Sequence, residues 1–244
     1  MIRLFIPNSL VAHTSVAVSP EQARYLALVM RRSVGDEVQV FNGRDGEWLA
    51  RVQSITKRAV SLEFIEQTKT QPSASQLELA IAMVKRSPLE TIVEKATELG
   101  VGRIQLLSTK RTNSDHSNLN RLALIATEAA EQCGRMDVPE VKPPMGLSDW
   151  LNGLAEQQKL LFCDETGGAA AASVLQDLSD HSRSAAWSIL IGPEGGFDPW
   201  ERSEILSCPG SFGVSLGPRI LRADTAAIAA LSLWQAVVGD WRGT

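Results

Sequence analysis

Glycine and acidic residues that could hold a ligand cluster in the run Gly192-Pro193-Glu194-Gly195-Gly196-Phe197-Asp198-Pro199-Trp200-Glu201. Three glycines within five residues let backbone approach a ligand where a side chain would stand in the way. The segment before them, Ser188–Ile191, reads as a short buried parallel strand. After them, Asp198 suits an N-cap, Pro199 falls at the first helical position and Glu201 at the third, the spacing of a capping box. A strand that ends in a glycine turn and feeds a helix is where open α/β sheets bind ligands. The plain alternative is a tight turn with no ligand. A second run, Phe212–Ala226, repeats the theme around Leu216-Gly217-Pro218-Arg219-Ile220-Leu221-Arg222, so the two turns could line one pocket. Neither is a phosphate loop, because no Lys-Ser/Thr follows the glycines. Neither carries the G-x-G-x-x-G dinucleotide spacing.

The elements that must position these turns divide at Thr68–Gln76, a polar, proline-containing stretch that makes the best linker. The expected domains are residues 1–70 and 71–244. The first reads mostly as strands (Arg3–Ile6, Glu37–Phe41, Glu47–Ile55, Ala59–Ile65), with a turn cluster at Asn42–Gly46 and one helix from Ser19 to about Met30. That pattern predicts a small β-barrel. From Leu77 strands and helices alternate, which predicts an α/β domain with a mostly parallel sheet. Here Leu89, Ile92, Val93, Ala96 and Leu99 share one helical face, and the stretch with Pro139, Pro143 and Pro144 reads as a loop.

The 244 residues and 44% hydrophobic content support a sizeable core. No signal peptide or membrane span is read, and Cys133, Cys163 and Cys208 are scattered, which points to a reduced, cytoplasmic protein. They and His13, His116 and His181 form no metal motif. The net charge of −4 argues weakly against nucleic acid. Its distribution is uneven: nine Lys/Arg meet seven Asp/Glu in residues 1–70, and fifteen meet twenty-one in the rest. A mildly basic head is compatible with an RNA-touching first domain. Arg31-Arg32 and Lys57-Arg58 could contact phosphates, although a solvated helix end and a solvated hairpin turn account for each pair alone.

Five motifs occur in order: Glu94-Lys95-Ala96-Thr97-Glu98-Leu99-Gly100-Val101, Glu128-Ala129-Ala130-Glu131-Gln132-Cys133-Gly134-Arg135, Val138-Pro139-Glu140, Ile191–Phe197 and Leu216–Arg222. Together they resemble the bacterial small-subunit ribosomal RNA uridine-N3 methyltransferases, the RsmE family of the SPOUT superfamily. The resemblance covers nearly the whole chain. It implies a C-terminal α/β domain with a deep trefoil knot, preceded by a PUA-like RNA-binding barrel. It also implies a homodimer, S-adenosylmethionine as cofactor, no metal, and N3-methyluridine in 16S ribosomal RNA as product, on naked RNA or the small ribosomal subunit. Two other readings stand beside it: a SPOUT enzyme acting on another base or a ribose 2′-hydroxyl, and a non-catalytic RNA-binding assembly factor.

Carried onto this chain, the resemblance implies a cofactor site among Leu161, Phe162, Gly192, Glu194, Gly195, Gly196, Leu216, Gly217, Ile220, Leu221 and Arg222. Uridine N3 carries a proton that must leave. Arg222 would stabilise charge developing on the uracil carbonyls, and Glu194 and Asp224 are both candidate proton acceptors. Asp224 reads more readily as a cap of the last helix. Arg3, Arg31, Arg32, Lys85, Arg86, Arg111 and Arg135 are the expected RNA anchors. Two departures from the family pattern stand out. Leu-Arg-Ala-Asp-Thr at 221–225 replaces Leu-Arg-Thr-Glu-Thr, and Thr109-Lys110-Arg111 replaces Ser-Glu-Arg, which reverses one charge.

Overall fold

The computed structural model describes residues 1–56, 59–112, 117–179 and 185–242. Lys57, Arg58, His116 and His181, named above, lie outside the described residues. The chain forms two compact units: Met1–Ala74 with Ala130–Val138, and Ser75–Ala129 with Pro139–Thr244.

In the first unit β1 (Arg3–Phe5), β2 (Ser15–Ala17), β3 (Glu37–Phe41), β4 (Glu47–Ile55) and β5 (Val60–Lys69) form one sheet in the order β1-β3-β4-β5-β2. The sheet curls around a core to which strand residues such as Leu4, Val38, Val40, Val52, Leu62 and Phe64 contribute. The β3–β4 turn forms where the Asn-Gly cluster predicts it. The Asn42 side-chain oxygen accepts hydrogen bonds from the N–H groups of Arg44 and Asp45. Helix α1 (Pro20–Arg24) starts at a capping box made by Ser19 and Gln22 and continues as one π-helical turn over Tyr25–Val29.

Glu47 organises one edge of this unit. Its side chain is fully buried and takes ion pairs from Arg3 and Lys69, both at 2.9 Å. Arg3 also donates to the carbonyls of Ala130 and Arg135, each at 3.0 Å, and lies 4.7 Å over the Phe41 ring. Arg135 is paired with Asp137 at 3.0 Å. The expectation that Arg3 and Arg135 anchor RNA is corrected here. Their side chains are only 10% and 12% exposed, and their donors are engaged within the unit.

The second unit carries β6 (Leu77–Ala82), β7 (Arg103–Ser108), β8 (Glu140–Gly146), β9 (Lys159–Cys163), β10 (Ala169–Ala170), β11 (Trp187–Ile191) and β12 (Ser211–Ser215). They pair in the order β10-β12-β9-β11-β6-β7-β8, and every pairing is parallel. The helices are α2 (Arg86–Glu98), α3 (Leu119–Cys133, whose residues from Ala130 on belong to the first unit), α4 (Leu147–Asn152), α5 (Ala171–Ser179), α6 (Pro199–Ser207) and α7 (Ala223–Val237). All of β6 and β11 is buried, as the near-continuous apolar runs require of inner parallel strands. Gln235 of α7 donates to the Leu99 carbonyl at the end of α2, which joins these helices. The proline stretch expected as a loop is strand β8. It lies at the sheet edge, where missing N–H groups cost no second ladder, and its register shifts beside Pro143 and Pro144.

Acid destabilises the first unit in a direction set by two carboxylates. Burial pushes the Glu47 carboxyl up, but hydrogen bonds from Lys69 and Arg3 outweigh it and hold the acid below its usual range. The Leu10 N–H and the Asn42 side chain hold Asp45 down as well. Acids depressed on folding contribute stability above their unfolded values, near pH 4, and lose it as pH falls through the folded ones. Thermal midpoints measured from pH 7 to pH 3 therefore drop below about pH 4, and Asp45→Asn flattens the drop. Arg3→Ala leaves Glu47 buried without its inner partner. It is expected to cost about 3–5 kcal/mol in a urea titration.

Candidate active site

Parallel pairing brings the turns after β9, β11 and β12 to one edge, because these strands are sheet neighbours with their carboxyl ends together. The turns enclose a cleft of about 820 Å³. Phe162, Gly192, Glu194, Gly196, Leu216, Gly217, Ile220, Leu221 and Arg222 all line it. Leu161 and Gly195 do not. Leu161 alternates with Phe162 along β9 and is buried away from the cleft. Gly195 faces Arg111. Asp224 is absent from the lining too. It sits in the first turn of α7, where its carboxylate accepts the Thr225 N–H at 2.7 Å. The cap position belongs to Arg222, so Asp224 is not the cap expected of it.

The glycine turn is shaped by close contacts. A Cβ on Gly192 would lie 2.8 Å from the Phe197 ring, which packs edge-on against Phe162. Gly196 has φ +65, and a Cβ there would meet the Glu165 carboxylate. Helix α6 then opens with the expected capping box: Asp198 accepts the N–H groups of Trp200 and Glu201, and Glu201 accepts the N–H of Asp198. Lys110, standing where the resembled family has glutamate, pairs with Asp198 at 2.8 Å and holds that acid below its usual range. The reversed charge therefore has an opposite partner.

A third glycine turn, beyond the two that the sequence pattern predicts, completes the cleft. Asp164, Glu165, Thr166 and Gly167 follow the apolar strand β9 and line the same space. Asp164 is buried, pairs with Arg202 at 2.7 Å and accepts the N–H and hydroxyl of Thr166. Its signal in the sequence is a third apolar strand ending in an Asp-Glu-Thr-Gly-Gly turn.

The expected RNA anchors separate. Lys85 is exposed and lines the cleft, and Arg31 is exposed with φ +50. Arg86 is exposed but ion-paired with Glu90 at 2.8 Å. Arg32 approaches Asp36 at 3.7 Å, and its Nε is buried without a hydrogen-bond partner. Arg111 donates to the Gly195 carbonyl at 2.9 Å. Among the described residues no cluster of His, Cys, Asp or Glu could hold a metal, and no helix is long and apolar enough to cross a membrane.

The cleft fits S-adenosylmethionine in size and chemistry. Its volume lies in the range of cofactor sites. Apolar walls from Phe162, Ile191, Leu216 and Leu221 suit an adenine ring, and Glu165 and Glu194 suit a cationic ligand. Residues 216–222 form neither helix nor strand, so their backbone amides and carbonyls are not consumed by a ladder. Cys163 also lines the cleft, but burial pushes its thiol up to about 12. Only about one molecule in ten thousand would carry its thiolate at pH 8. Iodoacetamide at pH 8 is expected to alkylate the exposed Cys133 first and leave Cys163 unmodified, as peptide masses will show.

The chain matches two family models, an RNA methyltransferase domain over residues 71–235 and an RNA methyltransferase PUA domain over residues 18–65. It is 32% identical over 231 residues to the ribosomal RNA small subunit methyltransferase E of Rickettsia conorii, covering 94% of this chain and 93% of that protein. A Legionella pneumophila methyltransferase solved with S-adenosylmethionine superposes with a TM-score of 0.84 at 30% identity, covering 96% of this chain and 97% of that one. The ribosomal RNA small subunit methyltransferase E of Neisseria gonorrhoeae, also bound to S-adenosylmethionine, gives 0.85 at 27% identity and covers 97% of each chain. Three glycine turns around one cleft on a parallel sheet, with both family models matching in order, make this chain a member of the RNA methyltransferase family.

Proposed function

We propose that this chain transfers the methyl group of S-adenosylmethionine to N3 of a uridine in small-subunit ribosomal RNA. The observation that carries this reading is the cleft, which places a cationic arginine and a carboxylate among the three turns that would hold the cofactor. S-adenosylmethionine, when bound, supplies a methyl group on a sulfonium. The backbone of residues 216–221 and the Gly192–Gly196 turn would hold its adenosine. Arg222 is exposed at the cleft, and its guanidinium offers several donors to negative charge developing on the uracil carbonyls. Loss of the N3 proton must accompany formation of the N–CH3 bond. Of the two acids considered, Glu194 lines the cleft and Asp224 does not, which favours Glu194 as acceptor.

The larger domain, residues 71–244, is the catalytic part of this proposal, and residues 1–70 are its RNA-binding part. Of the expected anchors, Lys85 and Arg31 are exposed and hold no ion pair among the described residues, which suits phosphate contact. A knotted path is supported by the strand order, in which β11 and β12 lie on either side of β9. Two copies acting together, as the resemblance implies, would have the 83%-exposed Ile220 available beside the cleft. Three free thiols agree with a reducing, cytoplasmic setting.

Nucleoside analysis of small-subunit ribosomal RNA from cells lacking this protein tests the reaction. N3-methyluridine is expected to disappear and to return with the wild type. An unchanged level moves the reading to another RNA position or to a non-catalytic RNA binder. With purified protein, Arg222→Ala should lower kcat by about 10²–10³. Glu194→Gln should lower it by about 10²–10⁴ and Asp224→Asn far less. A fully active Arg222→Ala would keep the reaction and discard this role for the arginine.

A further inference from the structure

The turn after β7 grips the glycine turn from the side away from the cleft. Glu194 and Gly196 line the cleft, while Gly195 between them faces Arg111, with its Cβ direction 3.5 Å from the arginine's Cβ. Three contacts join the two turns. Arg111 Nη1 donates to the Gly195 carbonyl at 2.9 Å. The Lys110 N–H donates to Glu201 Oε1 at 2.8 Å, and Lys110 Nζ pairs with Asp198 Oδ2 at 2.8 Å. Glu201 is buried, and its other oxygen accepts the Asp198 N–H, so one carboxylate ties strand β7's turn to the start of α6. The Thr109 and Thr112 hydroxyls lie 2.9 Å apart and the Thr109 N–H reaches Thr112 Oγ1 at 3.0 Å, closing the 109–112 turn on itself. The glycine turn thus has a firm support at its ends through Glu201 and Asp198. At its middle the support is Arg111, at the carbonyl flanked by both cleft-lining residues.

The geometry points to Arg111 as a positioning residue that holds Glu194-Gly195-Gly196 in the cofactor-competent shape, in place of the phosphate anchor expected of it. A glycine turn has more backbone states to lose than any other sequence, so an unsupported one must be ordered by its ligand at the ligand's expense. A hydrogen bond from a cation to a carbonyl is among the stronger ones available to supply that order beforehand. The inference rests on the cofactor reading above for the identity of the ligand, but the grip on the turn is a property of the chain alone.

The test compares wild type, Arg111→Ala and Arg111→Lys. The first measurement is hydrogen exchange of a peptide spanning residues 192–201 in cofactor-free protein. The second is the dissociation constant for S-adenosylmethionine. The third is the salt dependence of binding to a small-subunit ribosomal RNA fragment. Removing the guanidinium should speed exchange in that peptide and weaken cofactor binding about tenfold. Lysine keeps one donor and should restore most of both. The slope of RNA affinity against salt should stay as in wild type, because no phosphate contact is lost. A slope reduced by about one, with exchange and cofactor affinity unchanged, would make Arg111 a phosphate anchor and overturn the inference. If the wild type takes no cofactor but exchange still rises in Arg111→Ala, the grip stands and the cofactor reading falls. If wild type binds cofactor and the alanine variant matches it in both cofactor affinity and exchange, the grip falls and the cofactor reading stands.

Discussion

Parallel pairing of β9, β11 and β12 is the constraint on which the cleft depends. Parallel strands carry all their carboxyl ends to one edge, and every chain leaving that edge must turn there before its helix returns. Three neighbouring strands thereby deliver three glycine turns to one place without any contact between the turns being needed to bring them there. The opposite edge carries the polar cost of burying the sheet. Glu78, near the start of β6, is buried and accepts hydrogen bonds from the Trp150 indole at 3.0 Å and the Ser188 hydroxyl at 2.9 Å. A buried carboxylate left without such donors would destabilise the strands that position the site.

Features set by neighbouring residues are legible in the sequence. The capping box at Asp198 and the Asn42 turn each depend on residues three positions apart, and both are present as written in the sequence. The left-handed Gly196 sits in the glycine turn for the same local reason. The parallel sheet followed from alternation of apolar strands with amphipathic helices. What composition hid was strand β8, whose prolines read as a loop because nothing local says that a segment will lie at an edge.

Charged side chains were the least legible. Arg3 and Glu47 are 44 positions apart, and the carbonyls that Arg3 reaches on the other side of the chain are more distant still. An arginine in a sequence states its charge but not its partner. Arg3 and Arg135 are engaged within the unit that holds them, Arg111 grips a glycine turn, and Lys85 opens onto the cleft. The cofactor turns were easier because glycine has few reasons to cluster after an apolar strand. Asp164 and Glu165 obey that same rule, but the alanine run after their glycines, residues 169–172, equally suits a helix.

The order β9-β11-β6 also governs how the chain reaches its native state. β11 is synthesised after both strands that flank it, and its hydrogen bond from Ser188 to Glu78 closes a separation of 110 residues. Until β11 enters, β6 and β9 each present an open row of backbone donors and acceptors at the centre of the future sheet. Closing so long a loop must precede the reward of pairing, which makes folding slow for the size of the domain. The half-built sheet is also the species most exposed to pairing with another chain, so nascent protein made quickly at high concentration is the form in which this enzyme would aggregate.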